Sequence, residues 1–181
     1  PPARANHAIV YDVSRGTVMM FGGCANVHAC INGPFLSDTW EWNGIDWVAA
    51  SPATAPPART NHALAYDAAR SKVVLFGGYG TAGTTSLFDD TWEWNGTTWT
   101  QITTTTKPVA RVDHAMAYDE AHGKVLLFAG CPDAFGSGQC NNPLNDVWTW
   151  DGISWIRQTP IATVSRPEAP TSTRSTCWRG P

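Results

Sequence analysis

The stretch that decides the fold is residues 59–100, RTNHALAYDAARSKVVLFGGYGTAGTTSLFDDTWEWNGTTWT. Recognisable copies precede and follow it, so the chain is a repeat array. A unit of this size cannot bury its apolar faces alone and packs against its neighbours instead. We therefore interpret the 181 residues as one domain built from repeats, rather than as several independent domains.

Five short motifs recur in each copy and define the repeat. They are an Arg-x-x-His opening at 4–7, 59–62 and 111–114; a Tyr-Asp pair at 11–12, 66–67 and 118–119; an apolar run closed by Phe-Gly-Gly at 21–23 and 76–78 and by Phe-Ala-Gly at 128–130; a Trp-x-Trp segment at 40–42, 92–94 and 148–150; and a final Trp at 47, 99 and 155. Equivalent positions are about fifty residues apart.

Short strands are predicted throughout each repeat, because every apolar run is brief and bounded by turn residues. In the first repeat, two apolar strands joined by a polar turn lead into a variable segment. Trp40 and Trp42 then project from one face of a third strand, and Asn43-Gly44 predicts a hairpin into a fourth. The sequence thus predicts an all-β chain of three four-stranded antiparallel blades, at about 1–51, 52–104 and 105–158.

The last part of the chain departs from this pattern. Residues 159–181 are rich in Pro, Ser, Thr and Arg, and no His follows Arg166 at the repeat spacing. We expect a linker or a disordered end there, and no fourth blade. Because the sequence begins at a repeat boundary and without Met, we also expect it to be an excised or processed piece.

Composition argues against two classes of partner. The net charge is −3, charged residues are 15% of the chain, and its few Lys and Arg residues form no basic run that could engage phosphates. No apolar run approaches the length of a membrane-spanning helix. We therefore expect neither a nucleic-acid partner nor a membrane partner.

The Arg-x-x-His opening, the Phe-Gly-Gly doublet and the spaced Trp residues resemble the kelch repeat of β-propellers. The resemblance covers residues 1 to about 158, and it is greatest to the Trp-rich version found in secreted bacterial proteins with a galactose-oxidase-like propeller. It implies a kelch-type propeller fold but no particular activity, since one fold hosts many functions. Ala129 departs from the pattern by replacing the first glycine of the doublet.

Three blades are too few to close a propeller ring, which usually has four to eight. Open outer faces on the first and third blades would expose Trp, Phe and aliphatic side chains, and such patches mark interfaces. The sequence therefore predicts either part of a longer propeller or a homodimer, with two chains paired head to tail as halves of a six-bladed ring.

The histidines and arginines of the repeat openings are candidates for chemistry, but they occur once in every blade. A catalytic site needs one constellation, so we favour a structural role in which these side chains satisfy backbone groups between blades. The alternative is a ring of His and Arg around the central channel, where Arg59 and His62 would bind a small anion.

Repeated carboxylates have the same two interpretations. The acids at Asp38, Asp90 and Asp146 could form pairs for glycoside chemistry, but their repetition favours strand capping and pairing with the Arg of the blade. The copper site implied by galactose oxidase needs two His, two Tyr and a Tyr–Cys crosslink, and this sequence does not supply them. We predict no catalytic residue, no metal and no cofactor.

Cysteines occur as pairs in the first and third variable segments and are absent from the second. This distribution predicts the intraloop disulfides Cys24–Cys30 and Cys131–Cys140, with Cys177 free or intermolecular. Disulfides imply a secreted, extracellular or periplasmic protein. The competing interpretation is a metal site formed by Cys24, His28 and Cys30.

The variable segments are the predicted binding site. In antiparallel blades they emerge at the same end as the Pro-rich connections, and they carry aromatic and amide groups suited to sugars or peptides, at Asn26, His28, Asn32, Tyr79, Phe88, Asp133, Phe135, Gln139 and Asn141. We expect a secreted binding module for carbohydrate or protein. The alternative is a polysaccharide-active hydrolase or lyase on a propeller scaffold.

Overall fold

The computed structural model describes residues 1–25, 30, 33–82, 84–133 and 140–159. These residues form fifteen β-strands and no helix, which confirms the all-β prediction. In chain order the strands are β1 (Ala8–Asp12), β2 (Thr17–Phe21), β3 (Thr39–Trp42), β4 (Trp47–Ala50), β5 (Ala58–Thr60), β6 (Ala63–Asp67), β7 (Lys72–Phe76), β8 (Tyr79–Ala82), β9 (Thr84–Leu87), β10 (Thr91–Trp94), β11 (Trp99–Ile102), β12 (Ala115–Asp119), β13 (Lys124–Phe128), β14 (Val147–Trp150) and β15 (Trp155–Gln158). The predicted tail lies outside the described residues from position 160 onward, and so does Cys177.

Each sequence repeat forms one four-stranded antiparallel sheet. Blade 1 has the strand order β1-β2-β3-β4, blade 2 has β6-β7-β10-β11, and blade 3 has β12-β13-β14-β15. This arrangement confirms the predicted blades. A further sheet, β5-β8-β9, is an addition to the predicted pattern, because the variable segment of the second repeat forms a hairpin that pairs with the preceding connection.

Four-residue turns join the third and fourth strands of the blades. In blade 1 the N–H of Asn43 donates to the carbonyl of Asp46, and the Asn43 side-chain oxygen accepts the N–H groups of Ile45 and Asp46. Gly44 has a φ of 96°, a left-handed conformation that favours glycine. The side chains of Asn95 and Asp151 cap the equivalent turns, which explains the Asn-Gly and Asp-Gly pairs of the repeat.

The apolar core lies between neighbouring blades. Trp94 and Trp99 of blade 2 belong to one buried cluster with Met19 and Phe21 of blade 1, and the Trp99 and Phe21 rings meet edge to face at 5.2 Å. The second junction repeats this packing with Phe76, Trp150 and Trp155. Because each junction buries several aromatic side chains, it is the main source of stability for the array.

The two outer faces of the array differ. On blade 1, Ile9 and Tyr11 are 58% and 54% exposed, whereas the equivalent Leu64 and Tyr66 of blade 2 are each 8% exposed. The prediction that both outer faces expose Trp is wrong for blade 3, because the repeat tryptophans of blade 3 point toward blade 2 and are buried. The outer face of blade 3 instead exposes Phe128, at 45%.

Candidate functional site

The variable segments and the connections between blades meet at one end of the array, as predicted. Ala5 pairs with Cys24, β5 pairs with β8, and Val112 pairs with Cys131. Each pairing joins the connection that precedes a blade to the variable segment of that same blade. We call this end the loop face; the turns between third and fourth strands lie at the opposite end of the antiparallel blades.

An aromatic pair on the loop face joins the first and second variable segments. The rings of Phe35 and Tyr79 meet edge to face, with their centroids 5.5 Å apart, and both residues are half-buried. Tyr79 begins β8, and this strand approaches β5 so closely that a Cβ at Gly80 would lie 1.9 Å from the Ala58 carbonyl oxygen. Only glycine fits at residue 80, and the close contact fixes the position of Tyr79.

Two disulfides close the first and third variable segments. The bonds are Cys24–Cys30 and Cys131–Cys140, which confirms both predicted pairs. The Cα atoms are 5.6 Å apart in each pair, within the usual range. The competing metal site loses two of its three ligands, because the Cys24 and Cys30 sulfur atoms are bonded to each other.

Asp133 organises the third variable segment. Its Oδ2 accepts a hydrogen bond of 2.6 Å from the Asn142 side chain, and its Oδ1 accepts the N–H of Asn141 at 3.3 Å. Together with the sulfur atoms of Cys131 and Cys140, this carboxylate forms a compact cluster of metal-ligating atoms. The disulfide uses both sulfur atoms, so no thiolate remains there to bind a metal. The side chain of Asn141 is exposed on the loop face.

Phe88 and Arg59, two of the predicted ligand-binding residues, are buried. The Arg59 guanidinium lies over the Phe88 ring at 4.1 Å, and the two residues are 0% and 8% exposed. Arg59 also donates to the carbonyls of Pro57 and Gly77. These contacts correspond to the structural role favoured for the repeated arginines, and they leave neither side chain open to a ligand.

The same Arg–Asp–Trp arrangement occurs in every blade. Arg59 makes two hydrogen bonds to Asp90, of 2.6 and 2.7 Å, and the indole N–H of Trp92 donates to Asp90 at 2.7 Å. The equivalent sets are Arg4, Asp38 and Trp40 in blade 1 and Arg111, Asp146 and Trp148 in blade 3. The carboxylates proposed for glycoside chemistry are therefore occupied by structural hydrogen bonds.

These contacts also control the charge of the aspartates. Burial raises the pKa of Asp90, but the hydrogen bonds and charge of Arg59, with the Trp92 hydrogen bond, more than offset it, so the net pKa is lowered. In blade 3 the Arg111 hydrogen bond is the largest influence and lowers the pKa of Asp146. A carboxyl held ionised in this way is a poor general acid near neutral pH.

The repeated histidines of blades 2 and 3 lie inside the blade junctions. His62 contacts the Phe21 ring edge to face at 5.5 Å, and His114 contacts Phe76 at 5.7 Å. Neither ring nitrogen of either histidine has a hydrogen-bond partner among the described residues. These positions do not support an anion-binding channel, because a neutral buried imidazole offers no positive charge.

Burial, followed by the charge of Arg59, lowers the pKa of His62 well below its usual value. The nearby Phe21 backbone has the smaller, opposite effect of raising the pKa of His62, but it forms no hydrogen bond with either ring nitrogen. Burial and the charge of Arg111 lower the pKa of His114 to about 3. Both histidines are therefore neutral in the folded chain at physiological pH.

Comparison with solved structures identifies the architecture. The structure of YjhT, a β-propeller, matches 87% of this chain with a TM-score of 0.62 at 14% sequence identity. The chain has a propeller-type fold. It spans 46% of the length of YjhT, and a likeness at this identity concerns the fold alone.

Comparison with curated proteins gives distant relatives, and no family model matches the sequence. Mei4-dependent protein 6 of Schizosaccharomyces pombe is 28% identical over 142 residues, and tRNA wybutosine-synthesizing protein 4 of Emericella nidulans is 30% identical over 159 residues. The alignments cover 71% and 82% of this chain. The chain spans only 19% and 14% of those proteins, respectively.

Several predicted binding residues of the propeller loops fall outside the described residues: Asn26, His28, Asn32, Phe135 and Gln139. The structure adds Phe35, which the sequence analysis does not select. The variable segments differ between repeats, so the repeat pattern does not single out Phe35. Its contact with Tyr79 joins two different blades, and the sequence carries no local signal for it. The Gly-Thr-Ala-Gly-Thr-Thr stretch at 80–85 is the sequence signal for the β8–β9 hairpin.

Proposed function

We propose that this chain is a secreted binding module that recognises carbohydrate on its loop face. The observation that carries the proposal is the Phe35–Tyr79 pair, in which two variable segments from different blades bring half-buried rings together. The repeats are proposed to be of the kelch type, on the motifs that they share. The two disulfides favour an oxidising environment, as secretion provides, and no helix among the described residues could cross a membrane.

The chemistry of the loop face suits a sugar. A pyranose ring presents a face of C–H groups that packs on an aromatic ring, and a rim of hydroxyls that both donate and accept hydrogen bonds. The Phe35–Tyr79 pair provides the first kind of contact, while the Asn141 and Asn142 side chains and the Asp133 carboxylate provide the second. A few directed polar groups together with an apolar platform are typical of small-ligand sites.

Covalent and hydrogen-bonded links tether the described parts of the loop face before a ligand arrives. Disulfides close the first and third variable segments, and the second variable segment forms the β8–β9 hairpin on β5. Fixing loops in advance raises affinity, because less conformational entropy is lost on binding.

The described residues give less support to the hydrolase or lyase alternative. Asp38, Asp90 and Asp146 are bound by arginine and tryptophan, and Asp89 pairs with Lys107 at 2.9 Å. Glycoside hydrolysis needs two carboxyl groups that face a common substrate, and one of them must carry a proton. These four carboxylates are held by cationic partners, which disfavours the protonated form that the general acid needs.

Changing Tyr79 to Ala should lower the affinity for the bound glycan about tenfold or more, because an aromatic contact at the centre of a site is worth roughly 1–2 kcal/mol. The intact chain is first screened on a glycan array to identify a binding sugar. Affinities of wild type and Y79A for that sugar are then measured by titration calorimetry.

The matched control is Ile153→Ala, since Ile153 is 80% exposed in a turn at the opposite end of blade 3. This variant should bind as wild type does, and both variants should keep the β-type circular dichroism spectrum. The proposal fails if Y79A binds with unchanged affinity, or if the array is silent and a protein ligand is captured instead. Cleavage of a polysaccharide by the same sample would favour the enzyme alternative.

A further inference from the structure

Tryptophan donors of one blade meet polar acceptors of the blade before it. The indole N–H of Trp99 in blade 2 donates to the Thr39 hydroxyl of blade 1 at 2.9 Å. At the next junction, Trp155 donates to the Thr91 hydroxyl at the same distance. Two independent junctions thus use one Trp–Thr hydrogen bond, with the donor on the later blade.

A second indole donor meets a glutamate at each junction. Trp94 donates to the Glu41 carboxylate at 3.2 Å, and Trp150 donates to the Glu93 carboxylate at 3.3 Å. These bonds lie in buried or partly buried surroundings, where an unpaired polar group is costly. A blade that accepts a neighbour therefore needs a Thr-x-Glu sequence on its third strand.

The accepting blade also needs glycine at the end of its second strand. A Cβ at Gly22 would lie 2.7 Å from the Arg59 carbonyl oxygen of the following blade. A Cβ at Gly77 would lie 2.7 Å from the Arg111 carbonyl oxygen and 2.9 Å from the His114 ring. Such separations are too short for contacts between atoms that are not bonded to each other, so the backbone of the following blade can approach only a glycine.

Blade 3 departs from all of these requirements on its outer face. Ala129 replaces the glycine, although its φ is 62°, and Val147 and Thr149 replace the threonine and glutamate acceptors. The Thr149 hydroxyl accepts a 2.9 Å hydrogen bond from Gln158, which takes the place of the apolar Ile102 of blade 2. A partly polar outer surface is typical of the capping unit of a repeat array.

Blade 1 presents the opposite kind of face. Trp42 and Trp47, the equivalents of the buried donors, are only half-buried and contact each other with ring centroids 5.9 Å apart. Their indole N–H groups have no acceptor among the described residues. Gly44 has open space around it, whereas the equivalent Gly96 packs closely on Arg15 of the neighbouring blade.

We propose that the exposed face of blade 1 is a docking surface for another propeller blade of the type of blades 1 and 2. That blade carries glycine at the end of its second strand and Thr-x-Glu on its third. A second copy of this chain does not supply it, because the acceptors of blades 1 and 2 are occupied within the chain and blade 3 lacks them. Of the two predicted assemblies, the contacts therefore favour part of a longer propeller over the head-to-tail homodimer.

The test converts blade 3 into an accepting blade. An acceptor chain carries Ala129→Gly, Val147→Thr and Thr149→Glu, and Ile9→Lys and Tyr11→Lys in blade 1 prevent it from docking on itself. The wild-type chain supplies the docking surface. We expect a 1:1 complex by sedimentation velocity, roughly 100-fold tighter than the complex formed when blade 3 is native, because two restored hydrogen bonds are worth about tenfold each.

Trp42→Phe and Trp47→Phe in the wild-type partner remove the indole donors but retain the rings, and the double change should weaken the complex at least tenfold. The proposal is overturned if native blade 3 binds as tightly as the converted blade, or if the folded acceptor chain does not bind.

If the acceptor chain does not fold, the test uses Thr91→Val in the wild-type chain instead, which removes the acceptor of the Trp155 indole. This variant should speed hydrogen exchange of the Trp155 indole at least tenfold, and unchanged exchange would overturn the proposal.

Discussion

Replacing Arg59 by Ala should lower the free energy of unfolding by about 4 kcal/mol, because removing one partner of a buried ion pair leaves the other without compensation. Arg59 is fully buried, and the Asp90 side chain is only 14% exposed. The substitution also removes the donors to the Pro57 and Gly77 carbonyls and the charge over the Phe88 ring. Urea denaturation at neutral pH measures the change.

Arg4→Ala is the matched control, because Arg4 makes the same set of hydrogen bonds in blade 1. The Asp38 side chain is 36% exposed, so water can solvate it once the arginine is gone. We expect a loss of about 1–2 kcal/mol for this variant. Equal losses for R4A and R59A would show that burial of the aspartate does not decide the cost.

The free energy of unfolding should fall by roughly 2 kcal/mol for each of His62 and His114 between pH 7.5 and pH 5. The reason is that each imidazole becomes protonated in the unfolded chain over this range but stays neutral in the folded chain. The folded pKa of each histidine lies below the unfolded value, and that of His114 is about 3. The stabilisation is therefore complete above about pH 6.5 and is lost as the pH falls from there toward the folded pKa. Urea midpoints over this range measure the slope.

The variants His62→Asn and His114→Asn separate the two contributions. Each should remove about one proton from the uptake on unfolding, whatever it does to stability at neutral pH. The double variant should keep only the slope due to His7, whose pKa is also lowered by burial and by the charge of Arg4. Ile153→Ala, an exposed change that involves no titratable group, should keep the wild-type slope. The lowered aspartate pKa values act below about pH 4 and do not contribute in this window. A wild-type profile that is flat from pH 7.5 to pH 5 would contradict the assignment of neutral buried histidines.

The predictions that the structure confirms depend on local order. The strands around Thr17–Phe21 and Thr39–Trp42 are short runs whose period and turn residues can be read directly, and the repetition of the pattern excludes chance. Cys24–Cys30 and Cys131–Cys140 pair within their own loops, at sequence separations of 6 and 9. Each of these features is encoded within a few residues.

Binding residues are harder to predict from the sequence, because the type of a loop residue does not show whether its side chain is buried or exposed. Phe88 is an aromatic residue in a loop, as a ligand platform would be, yet its ring is buried under the Arg59 guanidinium. Phe35 is identified as a candidate only by its contact with the Tyr79 ring. Both contacts depend on where separate segments of chain come together on the loop face.

The sequence by itself determined the repeat, the blade strands, the disulfides and the shared end of loops and connections. Only the tertiary structure decided how the blades recognise one another, because the Trp99–Thr39 and Trp155–Thr91 bonds join residues 60 and 64 positions apart. Ala129 shows the difference: in the sequence it is a mild departure from a glycine doublet. In the structure it occupies the position where an adjoining blade would place its backbone 2.7 Å from the Cβ, as the equivalent Gly22 and Gly77 show.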